Sequence, residues 1–198
     1  MTDRLFYFFF KLCRKIRNSF SAFTSSVRLN YYYYISEKRF AIATPAVTGK
    51  RFSIKSDLSK THLTVADNFH CRDDFNITLG NAGLLTIGHH CFFNNHCSIN
   101  CLGNIEIGNN CQFGENVLMY DHNHRFADKT KLVSAQGYDT GKIKIGNNCW
   151  VGANVVILKG VEIGDNVVIG AGCVIFKSVE SGSVVINQQN LIIKKNIE

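Results

Sequence analysis

A six-residue repeat constrains this chain more than any other feature. From Ile145 onward the sequence divides into IGNNCW, VGANVV, ILKGVE, IGDNVV, IGAGCV and IFKSVE. A branched aliphatic residue heads every unit, at Ile145, Val151, Ile157, Ile163, Ile169 and Ile175. The fifth place is always Cys or Val, and glycine holds the second place in four of the six units. An upstream block, IGHHCF, FNNHCS and INCLGN from Ile87, follows the pattern less strictly. After a two-residue slip, IGNNCQ and FGENVL continue it from Ile107.

An amphipathic strand alternates with period two and a helix repeats at 3.6, so a period of six fits neither. It fits a prism of short parallel strands. The heading residue points into a narrow core, and glycine or asparagine turns each corner, where positive φ is required. Three units complete one triangular coil, and coils stack through parallel hydrogen bonds. The expected fold class is all-β, a parallel β-helix over residues 53–186 interrupted by a loop at 120–142. A basic N-terminal segment (1–52) precedes it and a basic tail (187–198) follows.

The same register accounts for the cysteines. Of eight, Cys91, Cys97, Cys111, Cys149 and Cys173 stand in the fifth place, where sister units have Val, and no CxxC pair exists. They read as reduced, core-filling thiols rather than as a disulfide framework or zinc site, and the expected compartment is the cytoplasm. The chain of 198 residues is long enough for one sizeable core. Leu5 to Phe10 is too short to span a membrane, which takes roughly 20 apolar residues, and no cleavage pattern closes it. The net charge is +7, but residues 1–52 carry ten Lys/Arg against two Asp/Glu, and the remainder twelve against thirteen. Without a concentrated basic face over the repeats, nucleic acid is not an expected partner.

Between Tyr120 and Lys142 the repeat breaks. The polar stretch YDHNHRFADKTKLVSAQGYDTGK stands in place of more than a full coil and holds His122 and His124. An insertion on one edge of a solenoid is where binding and chemistry are placed.

The stretch GKIKIGNNCWVGANVVILKGVEIGDNVVIGAGCVIFKSV resembles the bacterial hexapeptide-repeat acetyltransferases. The similarity is to the sugar O-acetyltransferase branch, which includes maltose, nodulation-factor, capsule and lipopolysaccharide enzymes, and it extends over about residues 75–195. The resemblance implies left-handed coils, a homotrimer, and acetyl-CoA in the groove between neighbouring prisms. It also implies direct transfer to a hydroxyl of a sugar or glycolipid precursor of surface polysaccharide, with no metal. In the resembling enzymes the catalytic base comes seven residues after the apolar fifth-place residue of the last unit before the loop. Counted from Val117, that residue is His124, and neutral imidazole suits the removal of a hydroxyl proton. His122 would contact the acceptor or fix the loop. Asp121 would orient an imidazole that the sequence does not identify. On the same resemblance Trp150 flanks the cofactor groove, and Gly152 and Ala153 leave backbone amides and carbonyls open to the pantetheine arm. Gly170 and Ala171 permit close approach one coil on, Lys177 meets the coenzyme A phosphates, and Asn94 lies on the acceptor side. Corner geometry explains the Gly and Ala positions equally well, and Trp150 equally fits simple packing.

One departure stands out: the family's Gly-x-Pro-Ala-(Lys/Arg) element is replaced by INQQNLIIKK, with Gln188 to Leu191 at the altered positions and Lys194 and Lys195 retained. Other readings remain open. They are N-acetylation of an amino sugar or antibiotic, a γ-type carbonic anhydrase prism with zinc on three of the seven histidines, and a noncatalytic assembly prism. For zinc the raw material is His62, His70, His89, His90, His96, His122 and His124, but that family's two-histidine spacing of five is absent near the loop.

In RLFYFFFKLCRKIRNSF, Leu5, Phe9, Leu12, Ile16 and Phe20 form one helical stripe among Arg4, Lys11, Arg14, Lys15 and Arg17. Residues 4–20 would lie on an anionic membrane surface, at the inner face of the cell membrane, or pack on the prism or its trimer mates. Residues 31–34, four tyrosines in a row, read as an extended edge segment leading into the prism.

Overall fold

The computed structural model describes residues 23–37, 39–56, 60–80 and 82–188. The amphipathic stripe at residues 4–20 and the tail's Lys194 and Lys195 lie outside the described residues. The described chain winds through three parallel sheets of six, seven and six strands. We call them faces A, B and C in the order in which each coil visits them. Face A runs from Phe40–Ile42 to Glu162–Ile163, face B from Ala46–Thr48 to Val184–Val185, and face C from Ser53–Ser56 to Val174–Ile175. The first two strands therefore precede residue 53.

Unit-heading residues stack as the repeat requires. On face C, Ile54, Ile77, Ile99, Met119, Ile157 and Ile175 follow one another in register, so successive coils are 23, 22, 20, 38 and 18 residues long. The early coils carry four-residue strands on faces A and C, and the last coils strands of two or three. A wider triangle needs larger fillers. Phe52, Phe75, Phe93 and Phe113 stack through the early coils with centroids 6.0, 4.7 and 4.3 Å apart. Val151, Ile169 and Val185 continue the Phe93–Phe113 column into the narrow end. Side-chain volume and coil size thus taper together, as close packing demands.

Asparagines turn the corners with positive φ, at Asn110, Asn148 and Asn166 on one edge and Asn116 and Asn154 on the next. His90 and His96 hold equivalent corners at φ 58° and 60°, so two of the seven histidines serve backbone geometry. The seven cysteines among the described residues are buried free thiols. The thiols of Cys91, Cys97, Cys111 and Cys149 each donate to a glycine carbonyl 3.1 Å away, and burial pushes Cys71 up to about 12.

Two expectations are corrected. Residues 31–34 are not extended; they belong to a helix over 23–35. Ser25, Leu29, Tyr32 and Ser36 recur at spacings of four, three and four and turn inward on the first coil. There the Thr48 N–H donates to Ser25 Oγ at 2.9 Å, the Ile54 N–H donates to Tyr32 Oη at 3.2 Å, and Tyr32 meets Phe52 edge-on. The open end of a solenoid must be covered, and tertiary packing overrides the strand preference of tyrosine. Second, the insertion replaces no coil. Leu118–Tyr120 pairs directly with Val156–Leu158, and Asn104–Ile107 with Ile143–Ile145. The 38-residue coil is an ordinary coil with about twenty residues looped out at the corner between faces C and A.

Candidate functional site

The looped-out residues form an antiparallel hairpin, with His122, Asn123 and His124 opposite Thr140, Asp139 and Tyr138. Asp121 roots it. One position beyond the paired Asn100 and Tyr120, Asp121 stands beside Cys101 in a column of inward side chains and is fully buried. Its carboxylate accepts the N–H groups of Leu102 (2.9 Å) and Gly103 (2.7 Å) and lies 3.0 Å from His122 Nδ1. That contact requires the proton on Nδ1 and leaves Nε2 as the acceptor nitrogen of a neutral His122. Burial, with the Asp121 charge beside it, pushes the Cys101 thiol up. Gly103 lies close to this root: a Cβ there would come within 3.2 Å of Thr140 Cβ and 3.4 Å of Asp121 Oδ2, so these side chains would have to shift by a few tenths of an ångström. The other arm is pinned as well: the Gly141 N–H donates to the Asp121 carbonyl at 2.7 Å, and the Gly160 N–H to the Gly141 carbonyl at 3.2 Å.

Strand alternation separates the hairpin's side chains into two sets. His122, His124 and Tyr138 share one face, with the Tyr138 ring 5.2 Å from His122 and 4.6 Å from His124. His122 is only 15% exposed. His124 is exposed, and among the described residues neither of its ring nitrogens makes a hydrogen bond. On the opposite face Asp139 pairs with Lys159, which holds the Asp139 carboxyl below the usual range. The distal loop is braced by Gln136, whose amide accepts from the Asp128 N–H (3.0 Å) and donates to the Asp128 carbonyl (2.9 Å). Asn123, His124, Arg125, Phe126, Asp128 and Lys159 border an open cavity of about 670 Å³.

The residues singled out from sequence fall on two different edges. Asp121, His122, His124 and Lys177 lie at the C–A edge, with Lys177 one coil beyond Lys159 and 5.7 Å from the Phe176 ring. Trp150 lies on face B, 59% exposed between Gln112 and Val168, so it does not serve as packing within this chain. Asn94, Gly152, Ala153, Gly170 and Ala171 lie at the B–C edge, stacked coil on coil. One prism does not bring His124 together with these residues, because the width of face C separates the two edges.

The open backbone is also redistributed. The Gly152 and Gly170 amides are spent inside the prism, on the carbonyls of Ile169 (2.7 Å) and Val185 (2.8 Å), and the Ala153 carbonyl accepts from Gly172. The amides of Ala153 and Ala171 make no hydrogen bond among the described residues, so the alanines supply the free donors. The glycines supply closeness: a Cβ on Gly114 or Gly152 would sit 2.6 Å from the backbone nitrogen of Ala153 or Ala171. Asn94 is engaged, its Oδ1 accepting from Arg72 at 3.2 Å. The replaced C-terminal element begins exposed at Ile186 to Gln188, and Leu191 lies outside the described residues. Tyr138, Lys159 and Arg72 escaped the sequence reading. Tyr138 was in principle detectable, because YDT alternates in partnership with HNH. Lys159 and Arg72 owe their places to stacking between coils. Among the described residues no three His, Cys, Asp or Glu side chains form a group able to hold a metal ion.

Residues 142–177 match the sequence model of the family described as bacterial transferase hexapeptide (six repeats). No curated protein sequence matches the chain. Among solved structures it is similar to the polysialic acid O-acetyltransferase OatWY, with a TM-score of 0.56, 20% identity, and 77% of this chain and 88% of that one covered. The polySia-specific acetyltransferase NeuO gives 0.54 and 21%, covering 80% and 81%. A hexapeptide-repeat-containing acetyltransferase from Vibrio cholerae gives 0.51 and 21%, covering 79% and 74%. These likenesses show the fold. The chain has the left-handed parallel β-helix fold of these structures, and its residues 142–177 carry the six-residue repeat of that family model.

Proposed function

We propose that the protein is an acetyl-CoA-dependent O-acetyltransferase acting on a sugar hydroxyl, with His124 as general base. The observation that carries this reading is the hairpin looped out of an otherwise regular prism, which presents an exposed imidazole on a rigidly rooted strand. Acetyl-CoA supplies the acyl group as a thioester. His124 takes the proton of the attacking hydroxyl and returns it to the departing sulfur, so no covalent enzyme intermediate is needed. His122, mostly buried and bonded to Asp121, is the anchor that sets the height and angle of His124. Trp150, the close-packed glycines and the free amides of Ala153 and Ala171 fit a narrow pantetheine arm, with Lys177 for the phosphates.

Because hairpin and glycine edge lie apart on one prism, a working site combines the hairpin of one copy with the B–C edge of the next. A homotrimer with its axis parallel to the prism supplies that arrangement three times over. Two similar structures are a polySia-specific acetyltransferase and a polysialic acid O-acetyltransferase, which supports a sugar acceptor belonging to a surface polysaccharide or lipopolysaccharide precursor. A cytoplasmic enzyme held at the inner face of the membrane by residues 4–20 fits a lipid-linked acceptor. Among the described residues no helix is long and apolar enough to cross a membrane.

The Asp121–His122 bond favours one rival assignment, His122 as a base oriented by a carboxylate. Thiol release from acetyl-CoA with a sugar panel decides between them. His124→Ala is expected to lower kcat by about 10²–10⁴-fold, and His122→Ala by far less. The reverse order makes His122 the base, and unchanged turnover in both variants removes the hairpin from catalysis.

A further inference from the structure

Face B carries an outward column of His70, Phe92, Gln112 and Trp150 on successive coils. Alongside it the B–C edge presents one residue per coil: Arg72, Asn94, Gly114, Gly152 and Gly170. The edge changes character between Asn94 and Gly114. On the C-terminal side it is bare glycine beside Trp150. On the N-terminal side a guanidinium and an amide project from it.

Arg72 is held in place without being neutralised. Its guanidinium lies 5.7 Å from the centroid of the Phe92 ring, and Nη1 donates to Asn94 Oδ1 at 3.2 Å. Among the described residues no carboxylate pairs with it. The nearest acids in sequence are occupied: Asp74 holds Arg51 and has His96 at 3.4 Å, and Asp73 accepts the Lys50 N–H at 2.8 Å. His70 packs edge-on against the same Phe92, and burial, with the Arg72 charge, holds it below the ordinary histidine value. His70 is therefore neutral at pH 7, and Arg72 provides the positive charge of the patch. Most of its five N–H donors remain available, in a planar fork that matches carboxylate or phosphate oxygens.

Height along the prism connects this patch to the reaction. A three-fold axis parallel to the prism keeps each residue at its own height in every copy. The hairpin leaves the prism in the coil that holds Gln112 and Leu118, so in the trimer proposed above it would meet a neighbouring edge near Gly114. Asn94 lies one coil, about 4.8 Å, to the N-terminal side, and Gly152 one coil to the C-terminal side. That arrangement would set the imidazole between the bare glycine track and the Arg72 patch.

We propose that Arg72, fixed by Phe92 and Asn94, is a specificity residue of the acceptor subsite that selects sugars bearing an anionic group, a carboxylate or a phosphate. This rests on the transferase reading above, in which the glycine track takes the acyl donor. The test is binding of glucose, glucuronic acid and glucose 6-phosphate to the parent and to Arg72→Gln and Arg72→Lys, followed by saturation-transfer NMR and calorimetry. One or both charged sugars are expected to bind about tenfold or more tightly than glucose. The two charged arms show which anion fits. Arg72→Gln should abolish the preference, Arg72→Lys should keep part of it, and coenzyme A affinity should be unchanged in both. Equal binding of charged and neutral sugars by the parent, no binding of any, or a preference that survives Arg72→Gln overturns the proposal. Thiol release in the same samples reports separately on transfer: a charge preference without turnover would leave the anion subsite standing and refute the transferase.

Discussion

The C–A edge and the B–C edge of this prism are built from the same repeat and end in opposite designs. At the C–A edge about twenty extra residues loop out, and their base is clamped by Asp121, which gathers two backbone N–H groups and an imidazole. At the B–C edge nothing is added, and side chains are removed until Gly114, Gly152 and Gly170 leave a track bounded by backbone. The first edge places reactive groups away from the core; the second lets a ligand approach it. On the proposed transferase reading neither edge is complete alone, which is the physical reason for expecting the catalytic unit to span two copies.

Breaking the first edge at its root should have the largest effect. Asp121→Ala leaves three donors without their acceptor and should cost about 3 kcal/mol of stability, read from the urea midpoint. A shift below about 0.5 kcal/mol would mean that the hairpin is anchored elsewhere. The second edge is probed at Ala171, which is exposed. Ala171→Phe should raise KM for acetyl-CoA about tenfold while leaving the urea midpoint in place.

Mixing sharpens the comparison further. Chains carrying His124→Ala and chains carrying Ala171→Phe, each poorly active at limiting acetyl-CoA, should recover activity when assembled together. Random trimers pair an intact hairpin with an intact edge at about a quarter of sites. No recovery in a mixture shown to contain mixed oligomers would place each site within one chain. The smallest effect is expected at Lys159, whose pair with Asp139 is partly solvated. Lys159→Ala should change stability by less than about 1 kcal/mol, because exposed ion pairs contribute little.

Much of this architecture was legible in the repeat. Unit heads such as Ile145, Val151 and Ile157 point inward as their period requires, and Cys91, Cys111 and Cys149 fill core positions equivalent to valine. The hairpin was recognisable as an interruption, and His122 and His124 as its two histidines. Tyr31 to Tyr34 were misleading, because local strand preference says nothing of the open coil end that a helix must cover. The C–A and B–C assignments were equally hidden: six residues per face state which side chains are buried, not which edges oppose each other.

The sequence by itself determined the coil, its inward columns and the place where it is interrupted, because each follows from spacing along one chain. Only the tertiary structure decided that Asp121 holds His122 and leaves His124 free, that the glycine amides are spent and the alanine amides are not, and that Arg72 lies on Phe92 and Asn94. Apart from Asp121 and His122, which are neighbours in the chain, these contacts join residues about fifteen to twenty-two positions apart. They exist only because stacking brings successive coils to within one strand spacing, about 4.8 Å.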